Sequence, residues 1–144
     1  MPRVVIDTNV LIRALLKPDS SDGLVMRGAV EGKLDLFFSL KQISELKMAL
    51  TYKRIRKRAV TDEDIKVFLK TLLSFGNIIS ITEKITLCRD ADDNEILSIA
   101  ASVYKDNPVY LVTADKDLLV LKEKIEKIKI VTPQHFLKRI RLSV

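Results

Sequence analysis

The run Val4-Val5-Ile6, three β-branched residues cut off by Asp7, constrains the fold more than any other stretch. A strand with one face in water alternates apolar and polar residues, whereas an unbroken apolar run suits a strand buried on both faces, as central parallel strands are. Asp7 ends the run, and Thr8, Asn9 and the apolar spacing Val10, Leu11, Ala14, Leu15 read as a strand turning directly into a helix. A second buried run, Val109-Tyr110-Leu111-Val112-Thr113, also ends in acids, Asp115 and Asp117. In an open α/β sheet the carboxyl edge of the strands is where ligands bind.

Helix and strand signals alternate between these two runs. Leu24 to Gly32 predicts a short helix with Val25, Ala29 and Val30 inward and a C-terminal glycine. Leu34 to Ser39 follows as a strand, and Lys41 to Tyr52 as a helix with Ile43, Leu46, Ala49 and Leu50 on one face and Glu45 beside that stripe. Thr61 predicts an N-cap, with Asp62, Glu63 and Asp64 suited to the first turn. Its helix runs through Val67, Phe68, Thr71, Leu72 and Phe75 to Gly76, and Ile78 to Ile81 predicts a third strand. Ile96 to Tyr104 predicts a buried helix, Leu118 to Lys124 a short one and Ile128 to Val131 a fifth strand. Thr132-Pro133 opens the last helix, through Phe136, Leu137 and Ile140. Strands alternating with helices in this way imply a parallel sheet covered on both faces, in one domain spanning residues 1–144.

Composition narrows the classes. No apolar run approaches the roughly 20 residues that span a bilayer, and the N-terminus has no signal-peptide pattern. The expectation is therefore a soluble cytoplasmic protein without a membrane association. Cys88 is the sole cysteine, which excludes an intrachain disulfide and a thiolate zinc site and suits a core filler. A net charge of +6 favours an acidic partner. With four glycines, no Gly-x-Gly-x-x-Gly loop and no Gly-Lys-Ser/Thr motif, a nucleotide-binding Rossmann enzyme is excluded.

The acids carry the chemistry. Parallel strands put their carboxyl ends on one edge, so Asp7 and Asp115 can lie close together, where two bare carboxylates would resist ionising. A bound cation resolves that conflict, and oxygen donors without His or Cys point to Mg²⁺ or Mn²⁺. Asp93, in the densest acidic segment (Arg89-Asp90-Ala91-Asp92-Asp93-Asn94-Glu95), and Glu45 can complete the cluster. Such a site can activate a water against a phosphodiester, with a basic surface holding the polyanion.

Four strings in order, Val5-Ile6-Asp7-Thr8-Asn9-Val10-Leu11, Glu45 on its helix, Arg89 to Asn94, and Val112-Thr113-Ala114-Asp115-Lys116-Asp117-Leu118-Leu119, resemble the PIN-domain ribonucleases. The resemblance runs through to Ile130-Val131-Thr132-Pro133 and is greatest to the branch of toxin components of toxin–antitoxin pairs. It implies a three-layer α/β/α fold on a Rossmann-like, five-stranded parallel sheet and a Mg²⁺- or Mn²⁺-dependent endoribonuclease. Carried over by position, it implies that Asp7, Glu45, Asp93 and Asp115 bind the metal, with Thr8, Asn9 and Thr113 orienting carboxylates or waters and Asp90 and Asp117 as secondary acids. Asp92 competes with Asp93, which is preferred because Asn94 follows it. The family also implies a homodimer, an RNA substrate and an antitoxin protein as partner.

Plainer readings stand beside these. Asp7 and Asp115 can each cap a helix, Glu45 can face solvent, and Asp90, Asp92 and Glu95 can serve a helix dipole. The basic run with Lys53, Arg54, Arg56, Lys57 and Arg58 is either an RNA contact or a solvated helix end, and His135 is assigned no chemistry. Two other functions remain open on sequence alone: a catalytically weak RNA- or protein-binding module, and a housekeeping RNA-processing nuclease.

Overall fold

Strand order brings the two acid-ended strands side by side. The computed structural model describes residues 1–52 and 60–142. Strands β1 (Arg3–Ile6), β2 (Asp35–Phe38), β3 (Gly76–Ile78), β4 (Val109–Val112) and β5 (Ile128–Val131) pair in the order β3-β2-β1-β4-β5, every pair parallel. β1 is central, which accounts for its apolar run: Val5 faces one side, Val4 and Ile6 the other, and all three are buried. The order reverses direction between β1 and β4, the kind of switch point at which a crevice opens beyond the strand ends.

The helices are α1 (Thr8–Leu16), α2 (Ser21–Val30), α3 (Leu40–Leu50), α4 (Asp62–Phe75), α5 (Ala91–Val103), α6 (Lys116–Leu119) and α7 (Pro133–Leu142). α1 to α4 and α7 pack on the face carrying Val4, Ile6, Leu36 and Phe38. α5 and Leu118 of α6 cover the face carrying Val5, Leu111, Ile128 and Ile130. The result is the three-layer α/β/α arrangement. Local signals set the helix starts: Ser20 and Ser39 accept from Gly23 and Gln42 amides, and Thr61 and Asp64 form a reciprocal capping box. The Thr132 hydroxyl accepts from the His135 amide at the head of α7.

Several sequence expectations shift. The third strand is Gly76–Ile78, not Ile78 to Ile81, because β2 captures the chain as soon as α4 ends, pairing Leu36 with Gly76. A Cβ at Gly76 would overlap the Phe38 ring and sit 2.8 Å from the Leu72 carbonyl oxygen, so only glycine allows this abrupt junction. Val67 and Phe75 do not face inward; the buried side of α4 is Ile65 and Leu72, supported by Phe68 and Leu69. α2 begins at Ser21, earlier than Leu24, and Val30 is exposed. The short helix is Lys116–Leu119, starting at the Asp115 cap, with turns beyond it. The basic run from Lys53 to Arg58 lies outside the described residues.

Candidate active site

Backbone register builds the site. Ile6 pairs with Val112, so Asp7 and Thr113 leave the sheet side by side, each amide donating to the next strand: Asp7 to the Val112 carbonyl at 2.9 Å and Thr113 to the Val131 carbonyl at 2.9 Å. The Thr113 side chain, fully buried, then donates to Asp7 Oδ2 at 2.7 Å. The same hydroxyl accepts from the Asp115 amide at 3.0 Å, and Asp115 Oδ1 accepts from the Asp117 amide at 2.9 Å. One threonine therefore ties the end of β1 to the turn after β4.

Asp7 is itself buried, and its carbonyl accepts from the Val10 and Leu11 amides at the start of α1. Asp7 is the N-cap residue of α1, and its carboxylate is held chiefly by Thr113, with no well-formed side-chain capping bond to the helix. Asp115, in contrast, caps α6 as well as facing the site. Thr8 and Asn9 contribute through their backbone amides; among the described residues neither side chain bonds one of the acids.

Asp93 reaches this pair from the first turn of α5. Burial and then the charges of Asp115, Asp90, Asp7 and Asp117 push its carboxyl up to about 6. Burial likewise raises Asp7, aggravated by Asp115 and opposed by the Thr113 hydroxyl and the Thr8 and Asn9 amides. Successive helical residues point about 100° apart, so Asp92 faces elsewhere. It meets Glu45 of α3, whose carboxyl rises to about 7 through burial, then hydrogen bonding to and repulsion from Asp92, with Lys41 opposing and Glu95 adding. The acids thus form two adjoining groups: Asp7, Asp93, Asp115 with Asp90 and Asp117, and Glu45 with Asp92 and Glu95. Among the described residues no three are close enough to ligate one ion directly.

The donor chemistry still suits a hard divalent cation. Every donor is a carboxylate oxygen; burial first and then mutual repulsion raise Asp7 at the end of β1 and Asp93 at the start of α5, and a nearby cation would relieve the repulsion. Mg²⁺ is commonly held by one or two carboxylates, with waters completing its shell, so neighbouring carboxylates that do not all reach one ion still fit it.

Four positioning residues have no obvious chemical signature in the sequence. Ser39 caps α3 and donates to Glu95 Oε2 at 2.9 Å. Gln42, only 1% exposed, donates to the Ile6 carbonyl at 2.7 Å, fixing the residue before Asp7, while its Oε1 has no hydrogen-bond partner. Asn94 holds Cys88 by both amide and carbonyl at 2.8 Å, and Ser98 accepts from the Ile85 amide at 2.8 Å. Together they pin the loop that delivers Asp90 and Asp93. A polar residue interrupting an apolar helical face, as Gln42 and Ser98 do, was the one signal available.

Two comparisons bear on this geometry. The PIN domain family model matches residues 3–117, from β1 to the Asp117 turn. The chain is also 31% identical to the uncharacterized protein MJ1680 of Methanocaldococcus jannaschii, over 94% of this chain and 89% of that protein. PIN domains are in general metal-dependent nucleases, which supports a hydrolase at that level. No helix among the described residues is long and apolar enough to cross a membrane. From β1 through the acidic turn after β4, this chain belongs to the PIN domain family.

Proposed function

We propose that the protein is a Mg²⁺- or Mn²⁺-dependent endoribonuclease whose cation sits among Asp7, Asp93 and Asp115, bound directly by one or two of these carboxylates and through waters by the rest, with Glu45 completing the acidic rim. The observation that carries this reading is the Thr113 bridge, which holds a buried Asp7 beside Asp115 where Asp93 repels both. When bound, the cation would neutralise these acids and a scissile phosphate and lower the pKa of a water. The protein's own part is orientation. Thr113 fixes the carboxylate of Asp7 and the turn of Asp115, and Gln42 fixes the strand end beneath them. Glu45, with its carboxyl near neutrality, is suited to exchange a proton with a water at the rim.

The substrate is RNA, drawn by the chain's net charge of +6. The basic run Lys53, Arg54, Arg56, Lys57 and Arg58 supplies phosphate contacts, and the setting is the cytoplasm. Exposed apolar residues on α3 (Leu40, Met48) and α4 (Val67, Leu73, Phe75) support a homodimer. The role is toxin of a toxin–antitoxin pair, with a small antitoxin protein as partner.

The test is cleavage of a labelled RNA by purified protein. Cutting with Mg²⁺ or Mn²⁺, none with chelator, and a loss of at least about a hundredfold in Asp7→Asn and Asp93→Asn are expected. Undiminished cutting by folded Asp7→Asn would overturn the assignment; tight RNA binding without turnover in wild type would favour a silent binding module.

A further inference from the structure

The far edge of the sheet carries a second feature, unrelated to the acids. Among the described residues β5 pairs only with β4, and the Val109 and Thr113 amides bond the Lys127 and Val131 carbonyls, so Lys127, Lys129 and Val131 direct their backbone groups inward. By strand alternation, the amide and carbonyl of Ile130 and the carbonyl of Ile128 point out of the sheet. Ile128 and Ile130 line a cleft of about 920 Å³, together with His135 and Lys138 of α7 on one side and, on the other, Leu119 of α6 and Lys122 and Ile125 of the turns after it.

We propose that this cleft binds an extended peptide segment of another protein as a sixth strand, with apolar and acidic residues alternating along it. An added strand presents successive side chains to opposite faces. On the turn side they meet Leu119 and Ile125, which suit apolar groups. On the α7 side they meet Lys138 and Lys129, the latter resting 5.7 Å from the centre of the Tyr110 ring, and these suit carboxylates. A second folded copy is a poor occupant, because its own β5 edge is equally recessed and Lys129 would oppose Lys129. Single-stranded RNA is less well matched: among the described residues no Phe, Tyr or Trp lines the cleft, which leaves the His135 imidazole alone to stack a base, and Glu123 and Glu126 in its wall repel phosphates.

The experiment uses the full chain and a labelled peptide of about ten residues alternating valine and glutamate. Its comparators are the lysine counterpart, a peptide N-methylated at alternate residues, and a short RNA. Expected are saturable binding of the glutamate peptide with a changed Ile130 amide resonance, weakening by at least about tenfold in the Lys129→Glu/Lys138→Glu variant, and loss on N-methylation of either alternate set that supplies the ladder. No saturable binding of the glutamate peptide, equal binding of its fully alternate N-methylated forms, or RNA shifting the Ile130 amide in the peptide's place would each overturn the proposal. None of these readouts depends on nuclease activity.

Discussion

Thr113 serves two acids with one hydroxyl, donating to Asp7 at 2.7 Å and accepting from the Asp115 amide at 3.0 Å. Thr113→Val keeps the shape and removes both bonds, leaving a buried carboxylate oxygen and an amide without partners. The expected cost is about 1–3 kcal/mol in chemical denaturation and roughly 10–100-fold in cleavage rate, with Thr113→Ser recovering most of the activity. Asp7→Asn should behave differently. It replaces an acid that burial already disfavours as an anion, so stability without metal should hold or rise while cleavage is lost. At this scale the sequence was most legible where chemistry demands a residue type: Asp7 and Asp115 stand out as carboxylates at strand ends, whereas only the family resemblance prefers Asp93 to its neighbour Asp92. Glu45 owes its assignment to the family resemblance, not to its spacing, and its neighbours are Asp92 and Glu95, a pairing that depends on how α3 and α5 rotate against each other. Gln42 was illegible as a site residue because nothing in the sequence shows that its amide reaches back 36 positions to Ile6.

Elements were legible where their signals were local. The Thr61 capping box and the Thr132-Pro133 start stand where residue types put them. The strand Gly76–Ile78 was misread because its only claim to be a strand is tertiary: Phe38 and Leu36 of β2 receive it directly from α4. Gly76→Ala therefore tests the junction. The added methyl would collide with the Phe38 ring and force β3 away, and a loss of about 1–3 kcal/mol with increased amide exchange at Ile79, whose amide bonds the Phe38 carbonyl, is expected. An unchanged melting temperature would show that the β2–β3 contact gives way easily. The acid-bearing strands β1 and β4 sit two and three places from that edge, so the variant should keep its divalent-cation dependence.

For the whole molecule, the burial of acids at one end of the sheet, aggravated by their mutual repulsion, makes stability depend on pH in a direction opposite to that of salt-bridged carboxylates. Asp93 rises from 3.8 to about 6 and Glu45 from 4.5 to about 7, so the folded chain holds protons that the unfolded chain releases. Their stabilising contribution is present below pH about 4 and is lost as pH rises through about 6 and 7. Both groups are partly solvated, which keeps the effect to a few degrees of melting temperature in chelator. Adding Mg²⁺ or Mn²⁺ at pH above 7 should restore it. The parallel sheet follows from apolar runs alternating with helical spacing, which is why the fold could be anticipated, whereas the order β3-β2-β1-β4-β5 is set by tertiary packing that the sequence does not display. The measurement that bears most directly on the central claim is an anomalous difference map from crystals of the protein grown with Mn²⁺. The account predicts a peak between Asp7, Asp93 and Asp115 at the ends of β1 and β4; a well-ordered crystal with no peak there, or with its principal peak elsewhere, would contradict it.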